Sequence, residues 1–378
     1  MANKNLANAK KQKNDEFYTQ FSDIQKEVES YLEYNPNTFR NKTIYCNCDD
    51  PFESNFFRYF VLNFNRLGLK SLITTSYKPS PVANTQLGLF GDDLTLPSVK
   101  GRPKITANKF IINEVGDIDG DGSFTLEDIA KQLKENKNNE WTPLKGDGDF
   151  QSEECVELLK QADIVVTNPP FSLFRVYVKQ LFNYNKKFLI IGNMNSVTHK
   201  EIFPLVKENK MWYGQSISSG DREFQVPDNY PLSAAGFRIE NGKKYIRVKG
   251  VRWFTNLDHG RRHQPLNLMT KEDNIKFNKK IQNTPAYKKY ENYDAIEIPI
   301  TNAIPSNYNK IMGVPITFLD KYNPGQFEII GGTTNDSSSG PTIDCGHNGK
   351  CIPQCRNHKV PVIDGKALYK RIFIKHKK

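Results

Sequence analysis

The chain of 378 residues has little cysteine and no long apolar segment. No apolar run approaches the roughly 18 residues that a membrane span needs, and the polar, lysine-rich residues 1–14 lack the apolar segment of a signal peptide. Six cysteines are too few for a disulfide scaffold in a chain of this length. We therefore expect a soluble, cytoplasmic protein with reduced thiols and a mobile tail over residues 1–14.

Hydrophobic residues are also scarce, at 37% of the chain. Aromatic residues nevertheless make up 12%, which is too much for a disordered, charge-solvated polymer. The length allows roughly two to three domains of ordinary size. The composition thus indicates a folded protein with a polar surface.

Acidic residues are scarce only in the second half. Residues 1–190 hold 24 Lys+Arg and 25 Asp+Glu, a net of −1, whereas residues 191–378 hold 29 and 17, a net of +12. Six of the 13 arginines fall within residues 222–262, and arginine binds guanine edges and phosphates through two parallel hydrogen bonds. Compositional drift is the alternative, because 40 of the 53 basic residues are lysine. The clustering favours nucleic acid, with candidate contacts at Arg222, Arg252, Arg261 and Arg262.

From residue 43 onward, short apolar runs alternate with amphipathic segments, a pattern typical of strands connected by helices. The predicted helices cover residues 53–67, 153–162, 174–184 and 198–208. The predicted strands cover residues 43–48, 71–75, 110–115, 163–167 and 188–191. Because these strands lack alternation, we expect an α/β fold with a parallel sheet covered on both faces, which binds ligands at the carboxyl ends of its strands.

The chain divides near residue 210, where this alternation weakens. We predict a first domain over residues 15–210, in which residues 79–145 are partly a loop-rich insertion punctuated by proline and glycine. Residues 211–378 form the second region, some of whose strands are expected to return to the first sheet. Those strands are predicted at residues 245–248, 251–255, 296–300, 315–319 and 370–374.

Directly after the strand at 163–167 comes Asn168-Pro169-Pro170-Phe171. An amino nitrogen on a nucleobase is a poor nucleophile because its lone pair is delocalised, and two acceptors against its N–H bonds would free that lone pair to attack a methyl donor. The Asn168 side chain and the Pro169 carbonyl can be those acceptors, and Phe171 can stack on a base turned out of a duplex. The alternative is a rigid turn in which Ser172 caps the next helix.

A methyl donor needs its own pocket at the ends of the first strands. Asp49 and Asp50 follow the first strand and suit the amino group of a methionine moiety or a ribose hydroxyl. Asp149 precedes a predicted helix and suits an adenine amino group. Each is weak evidence alone, because acidic residues at loop tips are usually only solvated.

Five motifs together resemble the EcoRI-type adenine-specific DNA methyltransferases, and the resemblance runs from about residue 14 to the C-terminus. They are Asp15-Glu16-Phe17-Tyr18-Thr19, Cys46-Asn47-Cys48-Asp49-Asp50-Pro51-Phe52 with Ser54-Asn55-Phe56-Phe57, Asn168-Pro169-Pro170-Phe171, Phe254-Thr255-Asn256-Leu257-Asp258-His259-Gly260, and Met312-Gly313-Val314-Pro315-Ile316-Thr317-Phe318-Leu319-Asp320-Lys321-Tyr322.

The resemblance implies a Rossmann-like methyltransferase sheet with a basic C-terminal target-recognition region. It implies S-adenosylmethionine as methyl donor and adenine N6 in double-stranded DNA as acceptor. Modification would be paired with a restriction endonuclease acting on the same site, or independent of one. Tyr18 and Thr19 would lie near the methionine end of the donor, and Asn168 and Phe171 would hold the flipped adenine. We expect a monomer.

One departure from methyltransferases at large is that Cys-Asn-Cys-Asp-Asp-Pro replaces the usual glycine-rich turn after the first strand.

Two metal motifs also compete with the main interpretation. Residues 117–128 have the spacing of a calcium loop, with Asp128 in place of the closing glutamate. Five cysteines and histidines lie within residues 345–358, in no familiar zinc spacing. We expect no bound metal at either.

Two other functions remain open from the residues. The same loop would activate any planar amide or amino group, so RNA adenine or a protein glutamine is an alternative acceptor. The chain could also be a non-catalytic DNA-binding relative that retains the transferase fold, which would bind DNA but not the donor.

Overall fold

The computed structural model describes residues 18–48, 54–77, 107–117, 125, 128–129, 132–133, 138–218, 221–226, 236–333, 338–339 and 360–377. The chain forms two compact units. The first comprises Met1–Asn193 with Ser219–Leu257, and the second Met194–Ser218 with Asp258–Lys378. In the ranges described, no helix is long and apolar enough to cross a membrane.

The helices are α1 (Phe21–Tyr34), α2 (Asn55–Leu62), α3 (Phe64–Leu67), α4 (Glu153–Gln161), α5 (Phe174–Asn183), α6 (Phe203–Lys207) and α7 (Lys271–Phe277). The strands are β1 (Thr43–Cys46), β2 (Ser71–Thr75), β3 (Asn108–Ile112), β4 (Glu140–Pro143), β5 (Ile164–Thr167), β6 (Lys187–Asn193), β7 (Trp212–Tyr213), β8 (Asp221–Val226), β9 (Phe237–Glu240), β10 (Lys243–Lys249), β11 (Val251–Thr255), β12 (Ile296–Glu297), β13 (Met312–Pro315), β14 (Phe327–Thr333), β15 (Ser338–Ser339), β16 (Val362–Ile363), β17 (Lys366–Ala367) and β18 (Arg371–His376).

A large mixed sheet forms the centre of the first unit, where its strand order is β4-β3-β2-β1-β5-β6-β11. The inner strands β2, β1, β5 and β6 are parallel, as predicted. A wholly parallel sheet is wrong, because β3, β4 and β11 run antiparallel to their neighbours. β1 and β2 are buried along their whole length, whereas β3 and β4 are only partly covered, as antiparallel edges tolerate.

Local signals in the sequence explain the helices that cover this sheet. The Ser54 hydroxyl accepts hydrogen bonds from the backbone N–H groups of Phe56 and Phe57 and so begins α2. Gly68, at φ 62°, ends α3 in the left-handed conformation that favours glycine. The helix predicted over 53–67 is therefore present, divided at Asn63 into α2 and α3.

A smaller three-stranded antiparallel sheet, in the order β8-β10-β9, also belongs to the first unit. β8 is bonded on its other side to Tyr18, whose N–H donates to the Gln225 carbonyl at 3.1 Å. β11 follows β10 directly and pairs with β6. The segment predicted at 251–255 thus returns to the first sheet.

The second unit contains a five-stranded sheet in the order β12-β13-β18-β14-β15. Its core includes Tyr290, Tyr293 and Phe373. The strand predicted at 315–319 is wrong: β13 ends at Pro315 and a 3₁₀ helix, Ile316–Lys321, follows. The helix predicted at 198–208 is shorter, because a 3₁₀ helix precedes α6.

The division of function at residue 210 stays a prediction. The chain passes from the first compact unit to the second at Asn193, returns for residues 219–257, and leaves again. The two compact units are defined by which residues pack together. The predicted division at residue 210 instead separates residues that bind the donor from residues that bind DNA.

Candidate active site

The Asn168–Phe171 segment follows the carboxyl end of β5, the position that the sequence predicts for a site. Asn168, Pro169 and Pro170 are buried and Phe171 is half-buried. The Leu173 N–H donates to the Pro170 carbonyl at 2.9 Å, closing the turn that leads into α5. Leu173 is the N-cap residue of α5, and its own side chain makes no capping hydrogen bond. A capping role for Ser172 stays a prediction.

Hydrogen bonds fasten the end of β1 to the end of β5. The Thr167 hydroxyl donates to the Asn47 carbonyl, and the Tyr177 hydroxyl on α5 donates to the Asn47 side-chain oxygen. Burial raises the pKa of Tyr177 well above its ordinary value, so the phenol keeps its proton and remains a donor. Asn47 therefore fixes the two strand ends against each other beneath the candidate site.

A cavity of about 50 Å³ opens at this edge of the sheet. Its wall combines residues that follow β1, β2 and β5 with residues from the segment before α4. They are Cys48, Tyr77, Gly148, Asp149, Phe150, Pro170 and Leu173. Of these, the sequence singled out Asp149 as a candidate donor contact, and it lies in one wall with the turn after Asn168.

The segment before α4 is held closely against β2. Gly148 has φ 81°, and a Cβ atom added there would lie 1.9 Å from the Ser76 carbonyl oxygen. The Asp149 side chain accepts from the Gln151 N–H at 2.8 Å, and the Phe150 carbonyl accepts from the Gln180 side chain at 2.9 Å. Only glycine permits this approach, and the sequence pattern Gly-Asp-Gly-Asp was the available signal.

Tyr18 and Thr19 lie beside the start of α2. The Thr19 carbonyl accepts from the Asn55 side chain at 2.7 Å. The Thr19 hydroxyl oxygen is buried, and no described residue offers it a hydrogen bond. An orphaned buried hydroxyl fits a polar ligand that completes its hydrogen bonding. Asp49 and Asp50, the other predicted contacts here, lie outside the described residues.

Cys48 occupies the position where many nucleotide-binding sheets have glycine. Its φ of 67° is left-handed, a conformation that costs a residue with a side chain roughly 1–2 kcal/mol. The turn after β1 thus adopts glycine-like backbone geometry without glycine. The sequence shows that cysteine replaces glycine here, but it does not show that the cysteine backbone is left-handed.

Comparison with known proteins identifies the chain. The family model described as "Adenine-specific methyltransferase EcoRI" matches residues 5–377. The chain belongs to this family. The resemblance stated from the motifs is therefore confirmed: the protein is a site-specific DNA adenine methyltransferase with S-adenosylmethionine as methyl donor and double-stranded DNA as substrate.

Curated relatives agree along most of the chain. It is 44% identical to Type II methyltransferase M.EcoRI of Escherichia coli over 87% of this chain and 89% of the relative. It is 36% identical to Type II methyltransferase M.MpnI of Mycoplasma pneumoniae over 98% and 97%, and 35% identical to Type II methyltransferase M.MgeORF184P of Mycoplasma genitalium over 97% of each. No solved structure matches the chain.

The four predicted arginine contacts of the methyltransferase differ in exposure. In the first unit, Arg222 is half-buried and lies 3.9 Å from the Asp23 carboxylate, while Arg252 is buried and donates to the Val251 carbonyl at 2.8 Å. Burial raises the pKa of Asp23, and the charge of Arg222 opposes that shift. Sequence clustering could not separate exposed from buried arginines.

The other two arginines belong to the second unit. Arg261 is half-buried and donates to the Gln215 carbonyl at 2.8 Å. Arg262 is buried, with its guanidinium 3.4 Å from the ring centre of Trp212 and 3.0 Å from the Asp258 carboxylate. These contacts hold Arg262 within the fold of the methyltransferase. Contact of all four arginines with DNA stays a prediction.

His259, in the Asp258-His259-Gly260 part of the family motif, is also buried. Its Nε2 lies 3.0 Å from the Tyr213 carbonyl oxygen. Burial lowers the pKa of His259 to about 4, so the ring is neutral near pH 7 and Nε2 donates the hydrogen bond.

The two metal motifs lie almost wholly outside the described residues. Of the calcium-like segment, Asp117, Thr125 and Asp128 are described, and the Thr125 N–H and hydroxyl both donate to the Asp128 carboxylate. The segment Cys345–His358 is outside them. Within the part of the methyltransferase that is described, no group of three His, Cys, Asp or Glu residues could hold a metal ion.

Proposed function

We propose that the chain methylates N6 of an adenine turned out of duplex DNA, and that the reaction takes place at the carboxyl ends of β1, β2 and β5. The shared cavity carries this proposal, because Pro170 of the Asn168 turn and Asp149 of the candidate donor segment line one space. Parallel strands β2-β1-β5-β6 with a ligand space at their carboxyl ends support a Rossmann-like sheet.

The chemistry of the acceptor follows from the residues after β5. The Asn168 side-chain oxygen and the Pro169 carbonyl accept hydrogen bonds from the two N–H groups of the adenine amino group. This arrangement favours a tetrahedral nitrogen with an available lone pair. The buried prolines keep these acceptors fixed and offer no competing N–H. Half-buried Phe171 stacks on the face of the flipped base.

The donor is held at the same edge of the sheet. Thr19 fits it because the buried hydroxyl lacks a described partner, and Asp149 fits because its segment lines the cavity. We assign Tyr18 and Thr19 to the methionine end of the donor, as the family resemblance implies. Asp49 and Asp50 follow the first strand, and we assign them to the amino group of the methionine moiety or to a ribose hydroxyl. S-adenosylmethionine, when bound, would supply an electrophilic methyl group. The S–C bond would break as the N6–C bond forms, leaving S-adenosylhomocysteine, and N6 would lose one proton.

Recognition of DNA is assigned to the second half of the sequence, whose net charge of +12 supports a polyanionic partner. We propose Arg222, Arg252, Arg261 and Arg262 as contacts in a basic target-recognition region. The protein would act in the cytoplasm as a monomer, within restriction-modification or as a separate epigenetic mark. A cognate endonuclease would share the recognition site without forming a stable complex.

Product analysis tests this function against its alternatives. The chain is incubated with methyl-labelled S-adenosylmethionine and unmethylated duplex DNA, RNA or cell protein, and the digested products are identified. We expect label in N6-methyladenine from DNA. Label in RNA adenine or in glutamine would replace the proposal with the neighbouring one, and DNA binding without donor binding would indicate a non-catalytic relative.

The role of Asn168 is tested by Asn168→Ala. Loss of a positioned acceptor is expected to lower the transfer rate roughly 10²–10³-fold while the donor still binds. Asn183→Ala, at the exposed end of α5, is a matched control that should transfer at the wild-type rate. A wild-type rate for Asn168→Ala would remove the acceptor role.

A further inference from the structure

The hairpin of β9 and β10 is an exposed ribbon that the proposed DNA contacts do not include. Asn241 and Gly242 connect the strands at φ 49° and 75°, the two-residue turn that matches strand twist. Every residue from 236 to 243 is exposed. Packing in a protein core therefore does not explain which side chains this ribbon carries.

One face of this ribbon is mainly apolar. Phe237 and Ile239 alternate along β9, pair with Ile246 and Lys244 across the hairpin, and are 47% and 59% exposed. On the opposite face, the Arg238 guanidinium lies 4.6 Å from the ring centre of Tyr245 and 3.0 Å from Glu223. These contacts brace the ribbon from behind and leave its apolar face open.

The net charge of the hairpin indicates which partner binds to its apolar face. Residues 236–249 carry five basic side chains and one acidic side chain, a net of +4. A second copy of the chain, itself at +11, offers no charge complementarity. The negatively charged phosphate backbone of the DNA substrate is complementary in charge to the hairpin. We infer that the β9–β10 hairpin binds duplex DNA, with Phe237 and Ile239 against the bases and Lys243 and Lys244 at phosphates.

The position of the hairpin in the first unit fits this role, an argument that rests on the proposed function. Tyr18, β8, β10 and β9 are neighbours in that order. At a strand spacing of about 4.8 Å, β9 lies roughly 14 Å from the Tyr18 backbone, which we place beside the donor. A major groove about 12 Å wide admits a two-stranded ribbon. One duplex can thus present an adenine to the site and a groove to the hairpin.

DNA binding by two variants tests the inference. Phe237→Thr/Ile239→Thr places threonine, which favours strands, at both positions while removing apolar contact, and should weaken binding to a methylatable duplex roughly tenfold. Its salt slope and its affinity for S-adenosylmethionine should stay at wild-type values. Lys243→Gln/Lys244→Gln should make the log–log salt slope shallower by about 2.

The matched control is Leu62→Gln/Val176→Gln, which removes two apolar side chains of similar exposure, 39% and 42%, from helices of the same unit. DNA affinity within twofold of wild type for Phe237→Thr/Ile239→Thr, or an equal loss in the control, would overturn the inference. The inference would also be overturned if the wild-type protein were a dimer that dissociated only in the Phe237→Thr/Ile239→Thr variant. Binding of the wild-type protein to RNA but not to DNA would overturn it as well. Because binding is measured without methyl transfer, failure of the proposed reaction leaves this test intact.

Discussion

Gly148 offers a sharp test of the donor site, because its backbone geometry and its close neighbour both exclude a side chain. In Gly148→Ala the new Cβ would lie 1.9 Å from the Ser76 carbonyl oxygen, whereas such atoms normally stay about 3.3 Å apart. Ser76 cannot easily retreat, since its N–H donates to the Asn108 carbonyl at 3.0 Å and its hydroxyl accepts from the Asn108 N–H at 2.8 Å. The Asp149 segment must therefore move by roughly 1 Å or more.

Two costs follow. A left-handed alanine at φ 81° loses about 1–2 kcal/mol of stability, and displacement of a positioning segment by about 1 Å can lower activity up to 10²-fold. We expect the dissociation constant for S-adenosylmethionine to rise at least roughly tenfold, which is about 1.4 kcal/mol.

Titration calorimetry with S-adenosylmethionine measures this change, and urea unfolding measures the stability. Gly146→Ala is the matched control, because a Cβ atom there meets nothing within 4 Å. It should bind the donor within about twofold of wild type. Wild-type donor affinity in Gly148→Ala would refute the assignment of the Asp149 segment to the donor, whatever the loss of stability.

Three further predictions concern stability. His259 has a pKa of about 4 when folded, below its unfolded value of 6.5. Its stabilising contribution is thus complete above pH 6.5 and declines as the pH falls toward 4, by roughly 2.5 kcal/mol at pH 4.5. Urea unfolding of wild type and His259→Gln should show that the variant lacks this decline. Glu297→Gln should cost about 3–5 kcal/mol in the same assay, because it breaks a buried ion pair with Arg371 at 2.7 Å; a loss below 1 kcal/mol would contradict this. Cys48→Gly should stabilise the fold by about 0.5–1 kcal/mol, since it relieves a left-handed cysteine, and destabilisation would show that the Cys48 side chain contributes more than its backbone costs.

Features that depend on neighbouring residues were predictable from the sequence. The apolar runs of β1, β2, β5 and β6 and the glycine after α3 each mark an element within a few residues. The turn at Asn168 was placed at a strand end for the same reason. The direction of a strand in the sheet is not determined by its neighbouring residues: β3 was expected to run parallel to β2, but it is antiparallel. Direction depends on how the residues between two strands return to the sheet.

By itself, the sequence determined the family, the methyl donor, the adenine target and the position of the Asn168 turn after a strand, because motifs and periodicity are written in consecutive residues. Only the tertiary structure decided which distant residues share a space. It brought Gly148 against Ser76, joined Asn47 to Tyr177, and separated buried Arg252 from the exposed side chains of the β9–β10 hairpin. Exposure and contact between remote segments arise from packing, and a positive net charge alone cannot show which basic side chains packing leaves in solvent.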